Sequence, residues 1–302
     1  MSLPYGQPIE VAQNIKRITC NNPSPLTGAG TNSFLIGTSD LALVDPGPID
    51  DAHCQAIMDA LEKDQRISHI FVTHSHLDHS PLAARVASIT GAKVHALGDS
   101  TTGRSDVMSA LAQTDALKRG EGVDQQFAPD VRLNEGQVIE HAGWRITAHH
   151  TPGHFANHMS FAVGDVELCG DLIMAWATSL VAPPDGDLTQ FITSCEQTRT
   201  RAARRLLPAH GEAIEDPQKR IEWLISHRME RTKQIIRTLE AGPQTPKELT
   251  QQIYSDINPN LWSAAEQNVL AHLIDLMTKK RVSPEGILSI QSKFRLLEKI
   301  PS

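Results

Sequence analysis

Six residues, His74-Ser75-His76-Leu77-Asp78-His79, carry three imidazoles and one carboxylate. Neutral nitrogen plus anionic oxygen is the donor mixture that borderline divalent cations favour. In an extended stretch alternate side chains share a face, so His74, His76 and Asp78 are expected to point one way and His79 another. One loop can then serve two adjacent cations, and the chemistry they bring is attack by activated water on a carbonyl or phosphoryl centre. Three further candidates lie downstream: His154 in Thr151-Pro152-Gly153-His154, Asp171 after Gly170, and His210 in Ala209-His210-Gly211. Each is weak alone, since Gly-Asp pairs and His-Gly pairs are common in loops. Their order after HxHxDH gives the set its force. His158 is assigned a catalytic role, as a substrate contact or a brace behind the ligands, and Asp45 in Val44-Asp45-Pro46-Gly47 is the candidate carboxylate for orienting an imidazole. His149 and His150 are expected to brace their loop.

These residues need rigid elements to hold them. Apolar runs predict strands at 34–37, 41–45, 68–73, 93–96, 145–148, 159–163, 166–169 and 204–207. Helical spacing covers 51–62, and Ser80-Pro81 is expected to open a helix that ends near Gly91. The candidate ligands therefore lie just past the C-terminal ends of strands, where loops converge. From Asp216 the pattern turns helical. Asp216-Pro217 caps a helix to about Glu240, and Thr245-x-x-Glu248 and Ser263-x-x-Glu266 are two candidate capping boxes. A turn at 283–286 separates apolar stretches 281–282 and 287–290 as a predicted hairpin. The expected division is a catalytic domain over 1–215, a linking helix over 216–242 and a winged-helix-like domain over 243–302.

The composition of the 302 residues, 40% apolar and 21% charged, is that of a chain able to bury a core. No run of 18 apolar residues exists, so no membrane association is expected. Four scattered cysteines without a CxxC pair exclude a disulfide framework and a thiolate zinc knuckle. With no readable secretory signal, a cytoplasmic location is expected. From Pro217 onward, 13 Lys and Arg face 9 Asp and Glu, a net +4 that leaves −11 for residues 1–216. A net charge of −7 argues against a general nucleic-acid coat protein.

HxHxDH followed by a His, an Asp and a His resembles the metallo-β-lactamase-fold hydrolases over about 15–215. The resemblance implies an α+β fold, an αββα sandwich of two β-sheets flanked by helices, with a dinuclear site at one edge. It implies one cation on His74, His76 and His154, a second on Asp78, His79 and His210, and Asp171 bridging them. Two zinc ions per chain are expected, although these ligands do not choose zinc over iron or manganese. Gly28-Ala29-Gly30-Thr31-Asn32, Pro183-Pro184-Asp185-Gly186-Asp187, His227-Arg228-Met229-Glu230-Arg231 and the helical tail resemble the subgroup with a C-terminal winged helix, that of beta-lactamase-like protein 2.

Three functions follow as expectations. The leading one is a metal-dependent hydrolase, using a metal-bridging hydroxide on a small-molecule ester, thioester or lactone, since an acidic catalytic half repels a polyanion. The second, implied by the subgroup, is an endoribonuclease acting on single-stranded RNA, with Lys279-Lys280-Arg281 as phosphate contacts. The third is a non-catalytic metal-binding module. Specificity is assigned to the stretches 98–130 and 174–190, and the oligomeric state is left open.

Overall fold

Alternating apolar side chains give the first sheet two buried faces. Leu35, Leu43 and Ile70 pack with the helix residues Ile57, Leu82 and Val86, while Phe34, Val44 and Phe71 pack against Ile146, Phe161 and Leu168 of a second sheet. Each such side chain contributes about 1.5–3 kcal/mol on burial. The result is helix, sheet, sheet, helix in layers. The computed structural model describes residues 3–114, 117, 122–255 and 257–297.

The first sheet contains β1 (Ile9–Ala12), β2 (Ile15–Thr19), β3 (Asn32–Ile36), β4 (Asp40–Val44), β5 (Arg66–Phe71), β6 (Lys93–Ala96) and β7 (Val131–Arg132) in that spatial order. β1 to β4 pair antiparallel, and β4 to β7 run parallel. The parallel crossovers carry α1 (Asp51–Asp59), α2 (Leu82–Thr90) and α3 (Asp106–Ala112). The second sheet, in the order β12-β11-β10-β9-β8, is built from β8 (Val138–His141), β9 (Trp144–His150), β10 (Met159–Val163), β11 (Val166–Gly170) and β12 (Arg205–Pro208), with α4 (Leu188–Arg201) between the last two.

The C-terminal module follows as α5 (Pro217–Leu239), α6 (Pro246–Ile253), α7 (Trp262–Thr278) and the hairpin of β13 (Val282–Pro284) with β14 (Phe294–Leu296), a winged helix. α5 is more than a linking helix. Ile221 and Leu224 pack on α4 and the second sheet, while Ile235 and Leu239 enter the core of the C-terminal module with Leu249, Leu273 and Phe294. Met108 of α3 joins that same core.

Three local readings change. Ser80 does not cap α2: its Oγ donates to His76 O and to Asp124 Oδ2, and no side chain caps that helix. Ser263 lies inside α7, which starts at Trp262 on a 3-10 turn at Pro259–Leu261 that already supplies the first helical geometry. The second strand of the wing is 294–296 rather than 287–290, because Ser292 Oγ donates to Ile287 O and folds that stretch into a turn. Thr245 and Glu248 do form the reciprocal capping box. All four cysteines are free and buried, and among the described residues no helix is long and apolar enough to cross a membrane.

Candidate metal centre

The parallel strand β5 brings the chain to the edge between the sheets and ends at Phe71. Past it, Thr73 is locked by Asp45, whose carboxylate accepts from Thr73 N at 2.7 Å and from Thr73 Oγ1 at 2.7 Å. His74 and His76 follow. His79 N and Ser80 N both donate to His76 O, at 3.0 and 3.1 Å, and this turn breaks the extended geometry. Asp78 is therefore carried away from His74 and His76 to the side of His79, against the expectation from alternation. The loops after β9, β11 and β12 bring His154, Asp171 and His210 to the same edge.

The donor atoms fall into two groups. His74, His76 and His154 form one, and Asp78, His79 and His210 the other. His76 Nδ1 lies 2.8 Å from His74 Nε2 and 3.1 Å from His154 Nε2. In the second group Asp78 Oδ2 is 3.3 Å from His210 Nε2 and 3.5 Å from His79 Nε2. Asp171 divides its two oxygens: Oδ1 is 3.4 Å from His210 Nε2 and 3.7 Å from His79 Nε2, while Oδ2 is 3.6 Å from His154 Nε2. Two ligand atoms in a tetrahedral shell at about 2.1 Å from a cation stand roughly 3.4 Å apart. Most of these separations are too long for hydrogen bonds and right for a shared cation.

The opposite ring nitrogens are anchored. His79 Nδ1 faces Asp45 Oδ2 at 3.0 Å, His154 Nδ1 donates to Leu180 O at 2.6 Å, and His210 Nδ1 donates to Gly30 O at 3.1 Å. His74 Nδ1 donates to Thr73 Oγ1 at 3.0 Å, whose own proton goes to Asp45. One carboxylate thus orients one imidazole in each group, directly for His79 and through a hydroxyl for His74. Asp45→Ala is expected to weaken metal binding about ten- to a hundredfold in a chelator-competition titration. Wild-type affinity in that variant would remove Asp45 from the site.

The electrostatics fit a cation pair. His79 Nε2 and Asp171 Oδ1 are fully buried with no hydrogen-bond partner. Burial and the neighbouring imidazoles hold His74 well below the ordinary histidine range, and burial brings His76 down to about 3. Burial opposes charge on His79 and His210 too, but Asp78 and Asp171 outweigh it, leaving His79 well above that range and His210 at about 10. Metal-free protein therefore carries protons on His79 and His210 at pH 7, and ligation requires neutral imidazole. Metal uptake at pH 7 in weak buffer is expected to release about two protons. Release at His210 should vanish as the pH passes about 10; a pH-independent proton count would contradict the arrangement.

Of the two roles expected for His158, the geometry is that of the brace. It is fully buried, with Nδ1 on Thr151 Oγ1 at 2.8 Å and Nε2 accepting from Asp171 N at 3.1 Å, so it holds the Asp171 backbone from behind. His150 Nε2 donates to Ala156 O at 3.0 Å and braces the loop, while His149 faces Glu135. Sequence reasoning missed Thr73, Trp176 and Leu180. A hydroxyl next to HxHxDH was a usable signal for the first; a backbone carbonyl leaves none.

A cleft of about 570 Å³ opens over the two groups. Leu26, Leu77 and Trp176 line it although each is about half exposed (49%, 49% and 48%), and Met174 adds to this apolar floor. Gly28 and Gly211 leave room for the indole: a Cβ there would come within 3.1 and 2.9 Å of it. The far wall belongs to the C-terminal module, with Tyr254, Ile257, Leu261, Ala264, Ala265 and Asn268. Among the described residues lining the cleft there is no Lys or Arg.

A profile described as the metallo-beta-lactamase superfamily matches residues 26–212, and one described as the beta-lactamase associated winged helix domain matches 245–289. A relative from Drosophila melanogaster called beta-lactamase-like protein 2 homolog is 29% identical over 276 residues, covering 88% of each chain. A protein of Cryptosporiopsis sp. called an atrochrysone carboxyl ACP thioesterase is 27% identical over 244 residues, covering 79% of this chain and 67% of its own. A solved beta-lactamase domain protein from Burkholderia ambifaria shares the fold at a TM-score of 0.80 and 19% identity, covering 98% of this chain and 95% of that one.

Proposed function

From the premise that this chain belongs to the metallo-beta-lactamase superfamily, we propose that it is a dinuclear metal-dependent hydrolase of small apolar esters, thioesters or lactones. The observation that carries this reading is the cleft: its described lining holds no cation, and its floor and far wall are largely apolar. A phosphodiester polyanion needs Lys or Arg along its path. Lys279-Lys280-Arg281 lie beyond the C-terminal end of α7, whose N-terminal end faces the cleft, so about 20 Å of helix separates the two. Lys279 is moreover paired with Asp275. The relatives called thioesterases support the same direction.

Bound divalent cations supply Lewis acidity and bring the pKa of water from 15.7 to about 7. The chain does the rest. His74, His76 and His154 would hold one cation and Asp78, His79 and His210 the other, with Asp171 between the two groups. An apolar acyl group would find Trp176, Leu26 and Leu77 on one side of the cleft and Leu261 and Ala265 on the other. The donor set admits zinc, iron or manganese, and metal analysis of protein purified without added metal identifies the occupant.

The test is a panel of thioester, lactone, phosphodiester and single-stranded RNA substrates on protein of known metal content. Turnover of apolar thioesters or esters without RNA cleavage is expected. RNA cleavage, with binding that falls steeply as salt rises, would instead support the endoribonuclease reading. Hydrolysis of nothing on the panel by metal-replete protein would leave the non-catalytic module.

A further inference from the structure

The two ligand groups differ in what braces them. The Asp78–His79–His210 group is oriented from within the sandwich, by Asp45 and Gly30 O. His154 in the other group depends on Leu180 O, which lies in the irregular segment between β11 and α4. The peptide groups on either side of Leu180 are held by residues of the C-terminal helices. Ser179 O accepts from Arg228 Nη2, and Val181 N donates to Asn268 Oδ1 at 3.1 Å. Arg228 Nη1 donates to the same Asn268 Oδ1 at 2.8 Å, which closes the clamp. Arg228 lies on α5 and Asn268 on α7.

Arg228 is 2% exposed, and among the described residues no carboxylate pairs with it. A guanidinium buried without a counter-ion costs several kcal/mol unless polar groups replace water. Here the replacements are Ser179 O, Asn268 Oδ1 and the face of Phe191, whose centroid is 5.0 Å from the guanidinium carbon. Nη2 of this cation thus goes to a peptide group beside Leu180, and Nη1 goes to the amide oxygen that holds the peptide group on the other side, while Nε is buried without a partner.

We propose that Asn268 and Arg228 are positioning residues for His154, so that the C-terminal module sets the affinity of the His74–His76–His154 position and leaves the other unaffected. The proposal rests on the metal reading above. Asn268 also lines the cleft, so the residue that clamps the ligand loop borders the proposed substrate space.

The experiment is zinc titration of the full chain against a competing chelator. Asn268→Ala is expected to weaken one of two zinc positions roughly ten- to a hundredfold, the usual effect of removing an outer brace. Asn268→Asp keeps an acceptor oxygen in place and should restore the affinity. Arg228→Met fills similar volume without donors and should weaken the same position. In an Asp78→Ala background, where only the His74–His76–His154 group is complete, the effect of Asn268→Ala should persist. Wild-type affinity at both positions in Asn268→Ala, or equal weakening of both, overturns the proposal while the metal reading stands. Wild-type protein that binds no zinc overturns both.

Discussion

Asp171→Ala is expected to lower kcat/KM on the ester or thioester substrates proposed above at least about a thousandfold, roughly 4 kcal/mol of barrier. Among the described residues Asp171 is the one side chain with an oxygen towards each group: Oδ1 is 3.4 Å from His210 Nε2, and Oδ2 is 3.6 Å from His154 Nε2. It is 6% exposed, and burial pushes its carboxyl up, but His210 and His79 hold it well below the usual carboxylate range. It is therefore anionic where positive charge must accumulate. Without it, Asp78 is left to balance His79 and His210, and nothing links the two metal positions. Metal analysis should show fewer than two ions per chain. Asp165→Ala, which removes only an exposed pair with Arg204, serves as the control and should stay near wild type. Two ions and activity within tenfold of wild type in Asp171→Ala would remove the bridge from the mechanism.

Gly153→Ala should cost about 4 kcal/mol or more of folding stability, which lowers the melting midpoint by about 8 °C or more for a chain of this size. Gly153 has φ +140°, a region that side chains rarely adopt. A Cβ there would sit 2.2 Å from Phe191 Cα and 2.4 Å from Phe191 N. Both are backbone atoms of α4, so relief requires moving a helix whose N-cap residue, Asp187, donates from its N to Gly153 O at 2.9 Å. The next residue is His154, so loss of metal at its position should accompany the loss of stability. Gly164→Ala, at φ +58° with nothing within 4 Å, tests the backbone cost alone and should lose only about 1–2 kcal/mol. Equal melting midpoints for the two variants would show that α4 yields freely.

The candidate donors were legible because a metal site would be written in residue type and local spacing. HxHxDH needs only one loop, and a carboxylate among imidazoles has few other uses at that density. His154, Asp171 and His210 became readable through their order after it. The continuous apolar runs 34–36 and 42–44 marked strands covered on both faces, while the layering itself was implied by the family resemblance; which side chain enters which core is seen only in the structure.

Other assignments depended on contacts that spacing does not encode. Alternation grouped Asp78 with His74 and His76, but two backbone bonds to His76 O turned it towards His210. For His158 spacing left a substrate contact and a brace equally open, and only the contacts of its ring nitrogens with Thr151 and the amide of Asp171 put it behind the site. The capping box at Ser263 failed because the preceding 3-10 turn had already started the helix.

Residue chemistry and short-range order alone determined which candidate donors this protein owns, the strands and helices that carry them and the helical character of its tail, and the family resemblance of the motif implied the αββα layering. Only the tertiary structure decided which donors converge, that Asp45 serves both groups, and that Leu261 and Asn268 face His76 and His154 across a cleft. The reason is physical: a side chain's identity travels with its own position, whereas a shared point in space is set by where distant strand ends and helices come to rest.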